Sequence, residues 1–196
     1  ADGRIDPLVL GRAKPRDRAE QEIAGYRDVL AQIHADPARQ KLSTELIRSF
    51  HRGIYRYADP KAGRWKRTDN AILEVRPDGV QVVRFRPVSA LATPEYMKKL
   101  VDLYARELSA GKVEPLLAAA ALVLDFECAH PFADGNGRVG RLLTLLLLCQ
   151  CGYGVGRDIS LERIVEQSKE TYYEALHRSS QGWHEGRHAL RPWVTY

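Results

Sequence analysis

The densest chemistry in this sequence lies in twelve consecutive residues, His130-Pro131-Phe132-Ala133-Asp134-Gly135-Asn136-Gly137-Arg138-Val139-Gly140-Arg141. Two Gly residues flank Asn136 at the point where a helix must begin. A helix start exposes unpaired N–H groups and the positive end of the dipole, and Gly lets a ligand approach the backbone closely. Together they make an anion-binding cup. Arg138 and Arg141 are three apart and share one side of the first turns. Two guanidinium forks beside such a cup suit a polyphosphate better than a lone carboxylate. Asp134 lies at the mouth, where one carboxylate can hold Mg²⁺ while phosphate oxygens and waters complete the octahedron. His130, before a Pro that stiffens the turn, is placed to take a proton from an incoming hydroxyl. Taken singly, each feature has an ordinary structural reading: a His before Pro, a charged helix face, an Asx-Gly turn. Their concentration in twelve residues is what points to a site.

The flanking elements must hold this loop at both ends. Residues from about Glu114 to Glu127 are apolar on most faces and predict a central buried helix; a second apolar helix is expected from about Gly137 to Gln150, stopped by Gly152, Gly154 and Gly156. Upstream, a helix from Asp17 to about His34 carries Ile23, Tyr26, Leu30 and Ile33 near one face, and another from Ser43 to about Tyr57 carries Leu46, Ile47, Phe50 and Ile54. Thr93-Pro94-Glu95 reads as a helix start with a Thr cap, and that helix should run to about Leu108. Helices over Leu161–Gln167 and Lys169–Ser179 close the chain. The one β signal is Asn70–Val75 and Val80–Phe85 around Arg76-Pro77-Asp78-Gly79, a hairpin with a four-residue turn. The fold class expected is mainly α, a helical bundle with one β-hairpin. Residues 1–16, rich in Gly, Pro and Arg, read as a loose lead-in before one domain over 17–196.

The 196 residues are 44% hydrophobic and 28% charged, ordinary for a globular domain. The formal charge of +5 is spread along the chain and fits a phosphate-rich ligand. No helix-turn-helix, zinc or RNA-binding signature accompanies it, so nucleic acid is not expected as a partner. Cys128, Cys149 and Cys151 are odd in number and sit in apolar helical stretches, which argues against a disulfide framework and for buried thiols in a reducing compartment. The longest apolar runs, Leu116–Leu124 and Leu142–Cys149, are far short of the roughly 20 residues that span a bilayer. P-loop and strand-borne GxGxxG patterns are absent. The first residue is Ala1 rather than Met, so further residues upstream are expected, and the sequence stops at Tyr196 as if within an element.

The stretch 130–141 resembles the Fic-family signature, His-Pro-Phe-x-Asp/Glu-Gly-Asn-Gly-Arg-x-x-Arg, with all nine specified positions matched. The likeness reaches most of 20–196, taking in Phe126-Glu127, Leu142–Leu148, the hairpin of about 70–86 and Ser168-Lys169-Glu170-Thr171-Tyr172-Tyr173. The resemblance implies a protein adenylyltransferase that moves AMP from ATP, with Mg²⁺ or Mn²⁺, to a Ser, Thr or Tyr hydroxyl of a target protein. It implies His130 as general base, Phe132 as the loop's anchor, Asp134 as metal ligand, and Gly135, Asn136 and Gly137 on the α- and β-phosphates. Arg138 and Arg141 would grip the β- and γ-phosphates, Tyr172 and Tyr173 would help form the adenine pocket, and the hairpin would be a flap along which the target binds. The same scaffold also serves Doc-like phosphotransfer, other nucleotide donors and AMP removal; the presence of Gly137 and Arg141 favours AMP transfer. Many Fic proteins carry an inhibitory helix, Ser/Thr-x-x-x-Glu-Gly/Asn. No Glu here has Ser or Thr four residues earlier, so an upstream segment or a separate antitoxin chain is the expected source of any such control. A cytoplasmic setting, in a bacterium or a host cell, is expected.

Overall fold

The computed structural model describes residues 7–76, 78–154 and 160–196. The chain divides into two compact units, Ala1–Arg64 and Trp65–Tyr196.

In the first unit, residues 7–9 are helical. Leu8 is fully buried, and the Arg27 guanidinium donates to its carbonyl at 2.6 Å. Within the described part of the lead-in Leu8 is tied down in this way, while Val9 and Leu10 stay exposed. Helix α1, Arg18–Ala35, starts where the Asp17 carboxylate accepts from the Glu20 N–H at 2.8 Å. A 3₁₀ turn over Pro37–Arg39 follows, and α2, Thr44–Ile54, is capped by Ser43. The buried face of α1 is Ala24, Gly25, Val29 and Ile33, rotated from the expected stripe, and Ile23 is left exposed. Gly25 explains the rotation. A methyl group there would collide with the carbonyl oxygens of Gly53 and Ile54, so α1 and α2 meet backbone to backbone.

The second unit opens with a strap, residues 65–70, and a hairpin of β1, Ile72–Val75, and β2, Gln81–Phe85, paired antiparallel. Arg76 and Val80 close the turn, and Gly79 sits at φ 81°; Pro77 lies outside the described residues. Helix α3, Thr93–Ser109, begins one residue earlier than a Thr cap requires. Ala92 takes the cap position, and the Thr93 hydroxyl donates to the Ser89 carbonyl at 2.8 Å inside the preceding turn. Helix α4, Pro115–Ala129, is the central buried helix, touching α3 and the three helices over Asn136–Gln150, Lys169–Ser180 and Arg191–Thr195. Helix α5 covers Asn136–Gln150 and ends at Gly152, φ 89°; Gly156 lies outside the described residues. Helices α6, Leu161–Gln167, and α7, Lys169–Ser180, meet at Ser168. A last short helix, α8, Arg191–Thr195, is too brief for a periodic sequence signal. No helix among the described residues is long and apolar enough to cross a membrane.

Candidate active site

The loop between α4 and α5 is fixed by two left-handed residues. His130 closes α4 at φ 46° and ψ 59°, its N–H donating to the Phe126 carbonyl at 3.0 Å; Gly135 opens α5 at φ 79°. Gly adopts this region freely, but His does so at a cost. Among the described residues His130 is the one non-Gly residue with positive φ. Phe132 is fully buried, its ring 5.0 Å from Trp65 and 6.5 Å from Phe126, so it anchors the loop in the core.

The Asn136 side chain faces into the loop rather than the cleft. Its Oδ1 accepts from the Phe132 N–H at 2.8 Å and its Nδ2 donates to the Phe132 carbonyl at 2.9 Å, with the residue 2% exposed. A phosphate contact by Asn136 is therefore left to its backbone. From the far side the strap supplies further donors. Lys66 Nζ donates to the Ala129 carbonyl at 3.1 Å and Lys66 N to the Pro131 carbonyl at 2.8 Å. Asn70 Nδ2 donates to the carbonyls of His130 at 3.3 Å and Phe132 at 3.1 Å.

A cleft of about 170 Å³ brings His130, Gly137, Arg141, Tyr172 and Tyr173 together. Asp134, Gly135, Asn136 and Arg138 are not among its lining residues. His130 Nδ1 lies 3.3 Å from the Glu127 carbonyl, which can only accept; the proton then sits on Nδ1, leaving Nε2 able to take one. Burial holds the His130 imidazole below its ordinary pKa, helped by Lys66 and opposed by the Glu127 carbonyl and by Asp134. The Arg141 guanidinium lies over Gly137, 3.5 Å from where a Cβ would stand. Tyr172 is buried in a ring cluster with Trp193 and Tyr196, while Tyr173, next on the helix and about 100° around it, is half exposed at the rim.

Asp134 Oδ1 accepts from the Gly135 N–H at 2.6 Å, its Oδ2 is 3.9 Å from the Arg138 guanidinium, and its side chain is 73% exposed. Among the described residues no three His, Cys, Asp or Glu side chains gather to form a protein-only metal cage. One exposed carboxylate beside a helix N-terminus fits Mg²⁺, which takes one or two carboxylates and fills its shell from phosphates and water.

The structure adds cleft residues that the motif does not contain. Arg84, from β2, donates through Nε to His177 Nδ1 at 3.0 Å and through its terminal nitrogen to the Tyr173 carbonyl at 3.1 Å, tying the hairpin to α7. His177 is one turn beyond Tyr173, a spacing that places both on one face and was readable in the sequence. Glu127 also lines the cleft, buried at 5% exposure, with Oε1 unpartnered. Burial pushes its carboxyl up to about 7, against the pull of Arg141. Cys128, Cys149 and Cys151 are free thiols.

Comparison with known proteins places this geometry. Residues 41–148 match the Fic/DOC family, more than half of the chain. The protein adenylyltransferase fic-1 of Caenorhabditis elegans is 31% identical over 183 residues, covering 91% of this chain and 32% of that protein. A Fic domain containing signaling protein from Bacteroides thetaiotaomicron superposes with a TM-score of 0.78 at 26% identity, over 99% of this chain and 74% of the other. Residues 134–508 of Caenorhabditis elegans Fic-1 superpose with a TM-score of 0.72 at 27% identity, over 99% and 53%. The chain spans about a third of the length of the Caenorhabditis relatives it matches. A family match over more than half the sequence, on a mainly helical fold with one two-stranded hairpin, establishes that this chain belongs to the Fic/DOC family.

Proposed function

We propose that this chain is a protein adenylyltransferase, with residues 17–196 as its Fic domain. The observation that carries the reading is a single cleft lined by His130, Gly137 and Arg141, with His130 Nδ1 held on the Glu127 carbonyl. In the proposed reaction His130 Nε2 takes the proton of a Ser, Thr or Tyr hydroxyl. That oxygen forms a bond to the α-phosphorus of ATP, the bond from the α-phosphorus to the β-bridging oxygen breaks, and pyrophosphate leaves. The N–H groups of the α5 start, at Gly135, Asn136 and Gly137, with Arg138 and Arg141, hold the phosphates in line. Tyr172 and Tyr173 bound the adenine end. Asp134 would hold Mg²⁺, whose charge would offset that of the phosphates.

The target protein is read as binding along the hairpin, where Leu73, Val75, Val80 and Val83 are each about half exposed; an extended target segment can add to such an edge. Control by an inhibitory helix would have to come from a partner or from sequence outside these 196 residues, since no Ser/Thr-x-x-x-Glu occurs in them. The reading places the reaction in a reducing cytoplasm, in keeping with three free thiols.

The test is labelling of the protein and a cell lysate with ATP radioactive at the α-phosphate, with Mg²⁺, beside His130→Ala. Label that depends on His130 supports AMP transfer. Transfer of γ-label without α-label would replace it by phosphotransfer.

A further inference from the structure

We propose that Lys66 and Asn70 are positioning residues that clamp the His130 loop from behind and so aim the His130 ring into the cleft. The inference rests on His130 acting as the base in AMP transfer.

Four successive carbonyls, those of Ala129, His130, Pro131 and Phe132, each receive a hydrogen bond from this pair of residues. A loop whose acceptors are all taken in this way has little freedom to rotate its peptide planes. The ammonium of Lys66 also donates to Asn70 Oδ1 at 2.7 Å. That contact sets the Asn70 amide with its oxygen toward the cation and its Nδ2 toward the loop; the reverse orientation would set oxygen against two carbonyls. Lys66 is 4% exposed, an unusual place for a Lys without a task. Burial draws its ammonium down to about 8, against the opposing pull of Asp69. The loop needs holding, because His130 occupies left-handed backbone that a non-Gly residue leaves readily when not constrained.

Neither Lys66 nor Asn70 lines the cleft, so their effect passes through His130. The clamp also sits at the root of the hairpin. Asn70 is two residues before β1, and Asp69 Oδ1 accepts from the Ala90 N–H at 2.6 Å beyond β2. The segment that fixes His130 is thereby the segment that fixes both ends of the flap.

The test compares Lys66→Met, Lys66→Arg and Asn70→Ala with the parent chain in three measurements. These are AMP transfer from saturating ATP, Mg-ADP affinity by calorimetry, and the His130 ring signals by NMR. The expected result is a fall in transfer of about 10- to 100-fold in Lys66→Met and Asn70→Ala, with Mg-ADP affinity held within about twofold and partial rescue in Lys66→Arg. Unchanged transfer in both damaging variants overturns the clamp, and so does a loss of Mg-ADP affinity as large as the loss of rate. If the parent chain transfers no AMP, the functional reading fails, and the clamp is judged by NMR alone. Shifted or broadened His130 ring signals in Lys66→Met and Asn70→Ala support it; signals identical to the parent's sink it.

Discussion

Glu127 and Gly140 face each other across the α4–α5 contact so closely that a Cβ on Gly140 would run into the Glu127 carboxyl oxygen. The crossing that sets the two halves of the motif side by side therefore depends on a missing methyl group. Gly140→Ala should push α5 off α4 and lower stability by about 1–3 kcal/mol. Gly137→Ala, whose added methyl meets only the tip of Arg141 at 3.5 Å, should fold normally and weaken Mg-ADP binding. Urea unfolding and calorimetry of the two variants separate the effects, and equal stability losses would contradict the account.

Glu127 also predicts how stability varies with pH. Its folded pKa, about 7, stands above the ordinary 4.5. The folded state thus holds a proton that the unfolded state releases, and stability falls as pH rises from about 4.5 to 7. Glu127→Gln removes that loss. It should be close to neutral at pH 5 and stabilising by about 3 kcal/mol at pH 8. Denaturant midpoints at the two pH values check it; a variant less stable than the parent at pH 8 would show that the ionised carboxylate makes a favourable contact with Arg141.

In the proposed transfer His130 must be neutral to act as the base. Burial lowers the His130 pKa, so the acid limb of the rate profile should lie below the ordinary histidine value of 6.5. Removing the Lys66 charge should move that limb upward. Single-turnover labelling across pH 5 to 8 reads both midpoints, and a parent limb at or above 6.5 would contradict the burial argument.

The two tyrosines should divide packing from binding. Tyr172→Ala opens the ring cluster with Trp193 and Tyr196 and should cost about 3 kcal/mol of stability. Tyr173→Ala should leave the melting temperature within a few degrees and weaken nucleotide binding. Thermal melts beside Mg-ADP titrations test the split; loss of affinity in neither variant would remove both residues from the adenine end.

Much of this was legible in the sequence, because the motif residues are neighbours in the chain and the helices carrying them are long and apolar. The helix starts at Asp17 and Ser43 and the stop at Gly152 follow from local chemistry alone. What escaped depends on contacts that neither periodicity nor the motif registers. The face of α1 turned because Gly25 meets the α2 backbone, which periodicity does not register. Thr93 lost its cap role to a hydrogen bond with Ser89. The Asn136 side chain closes on the Phe132 backbone, a contact that the motif itself does not announce. Asn70 read as the first residue of a strand, and nothing local marks Lys66 as buried against a carbonyl 63 residues away. Arg84 and His177 are 93 residues apart, and only the fold brings them to one rim.

The left-handed backbone of His130 has a consequence for how the chain trades activity against durability. Gly, and to a lesser degree Asn, visits this region more routinely than other residues, and strain of this kind is of order 1–3 kcal/mol. His130→Asn and His130→Gly should therefore give proteins that cannot take the proton yet outlast the parent on heating, whereas His130→Ala should keep the strain. Selection for thermal robustness alone would drive this position away from His, so on the proposed mechanism proton transfer and stability favour different residues at one place in the chain.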